Sequence, residues 1–167
     1  MIVSHRVLAC FALVLLPAAS AAPEPGGTPV VMAAQPGTPL DRAARGLIAQ
    51  DLAEAAHSGD RPLVLIGSAR LGNATDRPAL FVQLQSRRQC GSRGCSTAAY
   101  IWTKSRWTKV LDDASGRIVI APTRHGGMAD LVANSERYVW TGAAYANTRP
   151  APAVDLRPRS PHPRRPG

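Results

Sequence analysis

The chain has 167 residues, and its 20 Lys and Arg against 11 Asp and Glu give a formal net charge of +9. Neither end has the composition to build a core. Between them lie about 110 residues, enough for one hydrophobic core and too few for two, which excludes a two-domain architecture. The basic balance points to anionic partners and away from a basic target, which like charge would repel.

The N-terminus reads as an export signal. Residues 1–6 carry Arg6, residues 7–16 form an apolar run, and Pro17-Ala-Ala-Ser-Ala-Ala22 follows. That run is too short to span a bilayer as a helix, and it exits through the small residues a signal peptidase requires. Cleavage is expected after Ala21, because cutting after Ala22 sets the ring of Pro23 beside the scissile bond. Val7-Leu-Ala-Cys10 resembles a lipoprotein cleavage box, but the apolar run lies mostly after Cys10, so the expected signal peptide is residues 1–21. Residues 22–38, rich in Pro, Gly, Thr and Ala, read as a flexible lead. Residues 149–167, dominated by Pro and Arg, read as a disordered basic tail. A single α+β domain is expected over residues 39–148.

That domain opens with a helix. Thr38 can cap it, Pro39 suits its first position, and Asp41 stands three residues beyond the cap. Leu40, Ala44, Leu47, Ile48, Leu52 and Ala55 recur at helical spacing, while Asp51 and Glu54 lie off that stripe. Ser58-Gly59 and Pro62 end it. The polar face is not lysine-rich, so packing on the protein's own sheet is preferred to docking on a membrane.

Everything beyond Gly59 reads as strands. Leu63-Val-Leu-Ile66 is a short apolar run, and Gly72 to Pro78 is a turn-rich connection. Ala79 to Gln85 and Thr97 to Lys104 flank Cys90-Gly-Ser-Arg-Gly-Cys95, which reads as a hairpin tied at its tip by a Cys90–Cys95 disulfide. Closing so short a ring restricts the unfolded chain by about 2 kcal/mol on the loop-entropy model. Further runs follow at Trp107–Leu111, Arg117–Ile120, Asp130–Ala133, Tyr138–Trp140 and Ala143–Ala146. Breakers separate them at Asp112 to Gly116, Pro122 to Gly127, Asn134 to Glu136 and Thr141-Gly142. The expected fold is α+β: one N-terminal amphipathic helix packed on a curved antiparallel meander of six to seven short strands, with one hairpin disulfide.

Four features stand in order along the middle of the chain: Cys90 to Cys95, Trp107 to Val110, His125-Gly-Gly-Met-Ala-Asp-Leu131 and Trp140 to Tyr145. Together they resemble small exported proteobacterial proteins of unknown function, over roughly Leu63 to Tyr145. The resemblance implies a fold and a periplasmic or secreted location but no activity. Such proteins often carry a calcium-type loop before the first hairpin strand. Here that position reads Gly72-Asn-Ala-Thr-Asp-Arg-Pro78 and supplies side-chain oxygens only at Asn73 and Asp76. Calcium needs six to eight, so no metal and no cofactor is expected.

The remaining chemistry is sparse. Cys90 and Cys95 lack the partners of a structural zinc site. No serine stands at a nucleophile elbow, and His125 before Gly126-Gly127 reads first as a turn residue. A hydrolase using His125 and Asp130 is therefore only an alternative, and the expectation is no enzyme. Binding is the favoured class. Arg87, Arg88 and Arg93 crowd the clasp, Lys104, Arg106 and Lys109 surround the next turn, and Tyr100, Trp102 and Trp107 are interleaved with them. Such a surface suits an anionic envelope component or an acidic protein face, with nucleic acid disfavoured by compartment. Inhibition of an envelope hydrolase is a further alternative. In Tyr100-Ile-Trp-Thr-Lys104, Tyr100 and Trp102 share one face and Ile101 the other. If the core takes Ile101, the aromatics are exposed beside Lys104. If it takes Trp102, they are packing.

Overall fold

The computed structural model describes residues 27–72, 78–87 and 90–148. The export signal, the basic tail, Arg88, and the loop containing Asn73 and Asp76 lie outside these residues.

The chain enters through a two-residue strand, β1 (Thr28–Pro29), followed by two helices, α1 (Pro39–Leu47) and α2 (Ala49–His57). Strands then run in sequence: β2 (Leu63–Ala69), β3 (Ala79–Gln85), β4 (Cys90–Gly91), β5 (Gly94–Thr103), β6 (Arg106–Ser115), β7 (Ile118–His125), β8 (Met128–Ala133), β9 (Glu136–Trp140) and β10 (Tyr145–Asn147). They form two five-stranded antiparallel sheets. In the first, β2 pairs with β3 and β3 with β5, and β5 also pairs with β4 and β6; the second runs β1-β7-β8-β9-β10.

The helix start follows its sequence signals. Thr38 Oγ1 accepts from the Asp41 amide, and the Asp41 carboxylate accepts in return from the Gly37 amide at 3.1 Å. That amide hydrogen bond, followed by the opposing effect of burial and then the Arg45 guanidinium, leaves the Asp41 carboxyl below its usual range. The single expected helix is corrected to two, because Ile48 (φ −112°, ψ 24°) interrupts it. Gly46 and the β-branched Ile48 both weaken helix propensity there. Ile48 is buried with Ala44 against the sheet.

The single curved sheet is corrected to two layers, and the six to seven strands to ten. Both faces of the first sheet are covered, which the apolar run of β3 makes possible. Along β3, Leu80, Val82 and Leu84 pack under the helices, while Ala79 and Phe81 enter the core between the sheets. β5 divides in the same way, with Tyr100 under the helices and Ile101 between the sheets. Two buried polar side chains of this sheet bond each other, since Gln83 donates to Thr97 Oγ1 at 2.9 Å.

Three local differences have physical causes. The lead expected to be flexible joins the fold from residue 27 onward: β1 pairs with β7, Val30 is in the core, and Ala33 bridges Ile66. Val30 and Met32 supply the apolar area that the rest of the lead lacks. Strand β6 continues through Asp112-Asp113, whose side chains face solvent. Finally, Pro122 does not end β7. Among the described residues β1 pairs with β7 only at Val119 and Ile120, so none of them takes an N–H from residue 122 on that edge. On the other edge Ile120 pairs with Leu131 and Arg124 with Ala129, which sets Ala121, Pro122 and Thr123 against Asp130 alone. This is a bulge.

Candidate functional site

The expected basic surface divides in two. β5 carries the clasp at its start and the β5–β6 turn at its end, and its ten residues place these roughly 30 Å apart. Arg87 is exposed near the clasp. Arg93 belongs to the clasp itself and pairs with Glu136 at 3.2 Å. Lys109 bonds to Asp112 at 2.8 Å, the chief cause of its raised pKa. Tyr100 is only 3% exposed, and burial raises its hydroxyl pKa. The sequence grouped these residues by proximity along the chain; the strand between them separates them in space.

The clasp is a structural joint. Cys90 and Cys95 are bonded and lie opposite each other in the β4–β5 pair. Asn134 of the β8–β9 turn donates to the carbonyls of Arg93 (2.6 Å) and Ser115 (2.9 Å). A Cβ on Gly94 would stand 2.9 Å from the Gly116 Cα, so the two turns touch backbone to backbone. The disulfide loop thus fastens one end of the first sheet to a turn of the second.

At the other end of β5 the chain turns through Lys104 (φ 48°) and Ser105 (φ 64°). Two consecutive left-handed residues are what a type I′ hairpin needs, and Asn or Gly adopts them more readily than Lys or Ser does. Trp102 and Trp107 face each other across this hairpin, with ring centroids 5.3 Å apart in an edge-to-face contact. Both are half-buried, while Lys104 and Arg106 are exposed and carry no ion pair among the described residues. Beside Trp107 lies an apolar slot of about 160 Å³. Buried Leu80 and half-buried Leu40 and Trp107 line it with Ala79, and the exposed Ser68 and Pro78 complete the lining. The tip therefore unites cations, aromatic edges and an apolar recess. No short-range signal in the sequence would assemble Leu40, Ser68 and Leu80, which come from three distant segments.

A second constellation surrounds Asp130, which is fully buried. The bulge in β7 brings Thr123 and His125 over it: Thr123 Oγ1 donates to Oδ2 at 2.5 Å, and His125 Nδ1 lies 2.6 Å from Oδ1. Arg137 of β9 approaches Oδ2 at 3.7 Å. Burial disfavours the charged carboxylate, but the bonds from Thr123 and His125 and the charge of Arg137 outweigh it and hold the Asp130 pKa below its usual range. The turn role expected for His125 is therefore only part of its environment: it is oriented by a carboxylate, as a general base would be. No Ser or Thr hydroxyl hydrogen-bonds to it among the described residues. Sequence reasoning missed Thr123 and Arg137. Period two from His125 reaches Thr123, whereas Arg137 is brought in by strand pairing alone.

Two further clefts contain charged residues from several elements. One of about 220 Å³ lies where the helices meet β6 and contains Asp51, Asp112, Asp113 and Lys109. Another of about 600 Å³ separates the end of β2 from β7 and includes Arg70 and Arg124. Arg124 is committed to the carbonyls of Leu71 and Gly127. No set of three or more His, Cys, Asp or Glu side chains is arranged to hold a metal ion among the described residues, and no helix there is long and apolar enough to cross a membrane. No family model, curated protein or solved structure matches the chain.

Proposed function

We propose that this protein is a non-catalytic binding module of the cell envelope that engages an anionic partner through the tip of the β5–β6 hairpin. The observation that carries this reading is the Trp102–Trp107 pair standing beside two cations, Lys104 and Arg106, that have no ion pair among the described residues. Aromatic rings with one apolar face and one wet edge, set beside Lys and Arg, suit an anionic surface. The export signal read in residues 1–21 and the Cys90–Cys95 disulfide accord with an oxidising compartment, as does the resemblance to small exported proteins. The catalytic alternative at His125 and Asp130 has less support. The Asp130 oxygens are occupied by Thr123, His125 and Arg137, an arrangement that also serves to anchor the bulge.

The test is retention of envelope components by the mature protein at low and high salt. Retention should fall as salt screens the cations. Lys104→Ala together with Arg106→Ala should weaken it roughly thirtyfold, from about 1 kcal/mol per basic residue at an anionic surface. Arg87→Ala, at the far end of β5, should leave it unchanged. Equal retention by the double variant overturns the proposal.

A further inference from the structure

We infer that the ligand of the hairpin tip is an anionic amphiphile, a phosphate or carboxylate headgroup on an alkyl stem, with the stem seated in the slot beside Trp107. The inference rests on the binding reading above and adds the chemistry of the ligand. Three observations lead to it.

The first is the character of the slot. Its deepest side chain, Leu80 (0% exposed), belongs to the core under the helices, and the half-buried Leu40 and Trp107 stand beside it. Ser68 supplies the only side-chain hydroxyl, at the exposed rim. A polar ligand would find too few partners there, whereas an apolar one loses nothing on entering. The second is size. An apolar cavity of about 150 Å³ accepts a benzene-sized molecule, so this slot of about 160 Å³ takes roughly six carbons and no more. The third is adjacency. Trp107 is both a wall of the slot and the cross-strand partner of Trp102, and the turn that joins their strands begins at Lys104. A stem entering along Trp107 leaves its headgroup toward the tip, where Lys104 can donate to phosphate or carboxylate oxygens, while Arg106, paired with Thr103 on the opposite face of the hairpin, adds its charge at the tip.

The experiment titrates the full mature protein with monomeric alkyl phosphates of two to ten carbons, and with the matching carboxylates, at fixed ionic strength. Affinity should tighten about fourfold per added methylene up to roughly six carbons and then level off. Ser68→Phe, a change at the exposed rim that fills the slot, should abolish the dependence on chain length while leaving ethyl phosphate binding unchanged. Lys104→Ala with Arg106→Ala should do the reverse, weakening every member while preserving the slope. Binding to vesicles that contain anionic lipid but not to monomers would place the amphiphile in a bilayer, and saturation by monomers would show that the free molecule suffices. Affinity independent of chain length overturns the inference while the tip remains a binding site. An acidic peptide bound more tightly than any alkyl phosphate overturns it as well. If no anion binds and the double variant still retains envelope components, both readings fail together.

Discussion

Asp130 shows how much one residue can organise. Its carboxylate receives Thr123 and His125 from a bulged strand and faces Arg137 from the next, so a single buried charge joins β7, β8 and β9. Asp130→Asn keeps the shape but removes the charge, and hydrogen bonds to charged groups are stronger than neutral ones. The substitution should lower stability by about 1–3 kcal/mol at neutral pH in urea unfolding. The acid limb provides a second check. Because the folded pKa lies below the unfolded value of 3.8, the ionised carboxylate contributes its stability above pH 3.8, and that contribution is lost as pH falls through the folded pKa. The difference between the wild type and Asp130→Asn should therefore shrink in strongly acidic solution; a difference that stays constant down to pH 2 would contradict this account. Nearby, burial and then the negative charge of Asp130 push the Tyr145 pKa up, so its hydroxyl stays protonated and donates to the Ala129 carbonyl at 2.8 Å.

Elements were legible where their signals are local. The Thr38 cap, the helical stripe, the β3–β5 hairpin with its clasp, and the strands at Asp130–Ala133 and Tyr138–Trp140 all stand close to where residue patterns put them. Elements defined by a partner were not legible. β1 and β4 are two residues each and exist because β7 and β5 offer edges. The bulge in β7 was hidden behind Pro122, which reads as a breaker unless the strand pairing around it is known. The clasp permits a test at this scale. Cys90→Ser or Cys95→Ser should cost about 2 kcal/mol from ring closure alone. Because Asn134 grips the same loop, the amides of Ser115 to Arg117 should lose hydrogen-exchange protection along with those of the clasp. Loss confined to residues 90–95 would show that the loop does not join the sheets. A further check concerns the hairpin tip: Ser105→Gly relieves a left-handed non-glycine residue and should raise stability by up to about 1 kcal/mol in thermal unfolding.

Across the whole molecule, the layered order of helices, first sheet and second sheet makes one cooperative unit. Phe81 lies fully buried between the sheets. Phe81→Ala should cost about 3–5 kcal/mol, with both sheets unfolding in one transition; two separable transitions would mean that the sheets are independent. The choice posed between Ile101 and Trp102 is answered by this layering: the core between the sheets takes Ile101, yet Tyr100 on the other face is buried as well and Trp102 is half-buried. Tyr100 and Ile101 are both buried, one under the helices and one between the sheets, because β5 is covered on both faces. Trp102 and Trp107, next to the hairpin turn, are half-buried, and Trp107 packs at the margin of the core under the helices. Composition and short-range pattern by themselves determined the class of fold, the clasp, the helix start and the run of antiparallel strands. Each of these follows from periodicity, turn residues or cysteine spacing within a few residues. The tertiary structure alone decided that there are two sheets, that the basic residues separate to opposite ends of β5, that a slot opens beside Trp107, and that Asp130 gathers two hydrogen-bond partners and the charge of Arg137. All four depend on which strand lies beside which, and that is set by burying both faces of the first sheet at once, a balance of area across the whole chain that no single stretch encodes.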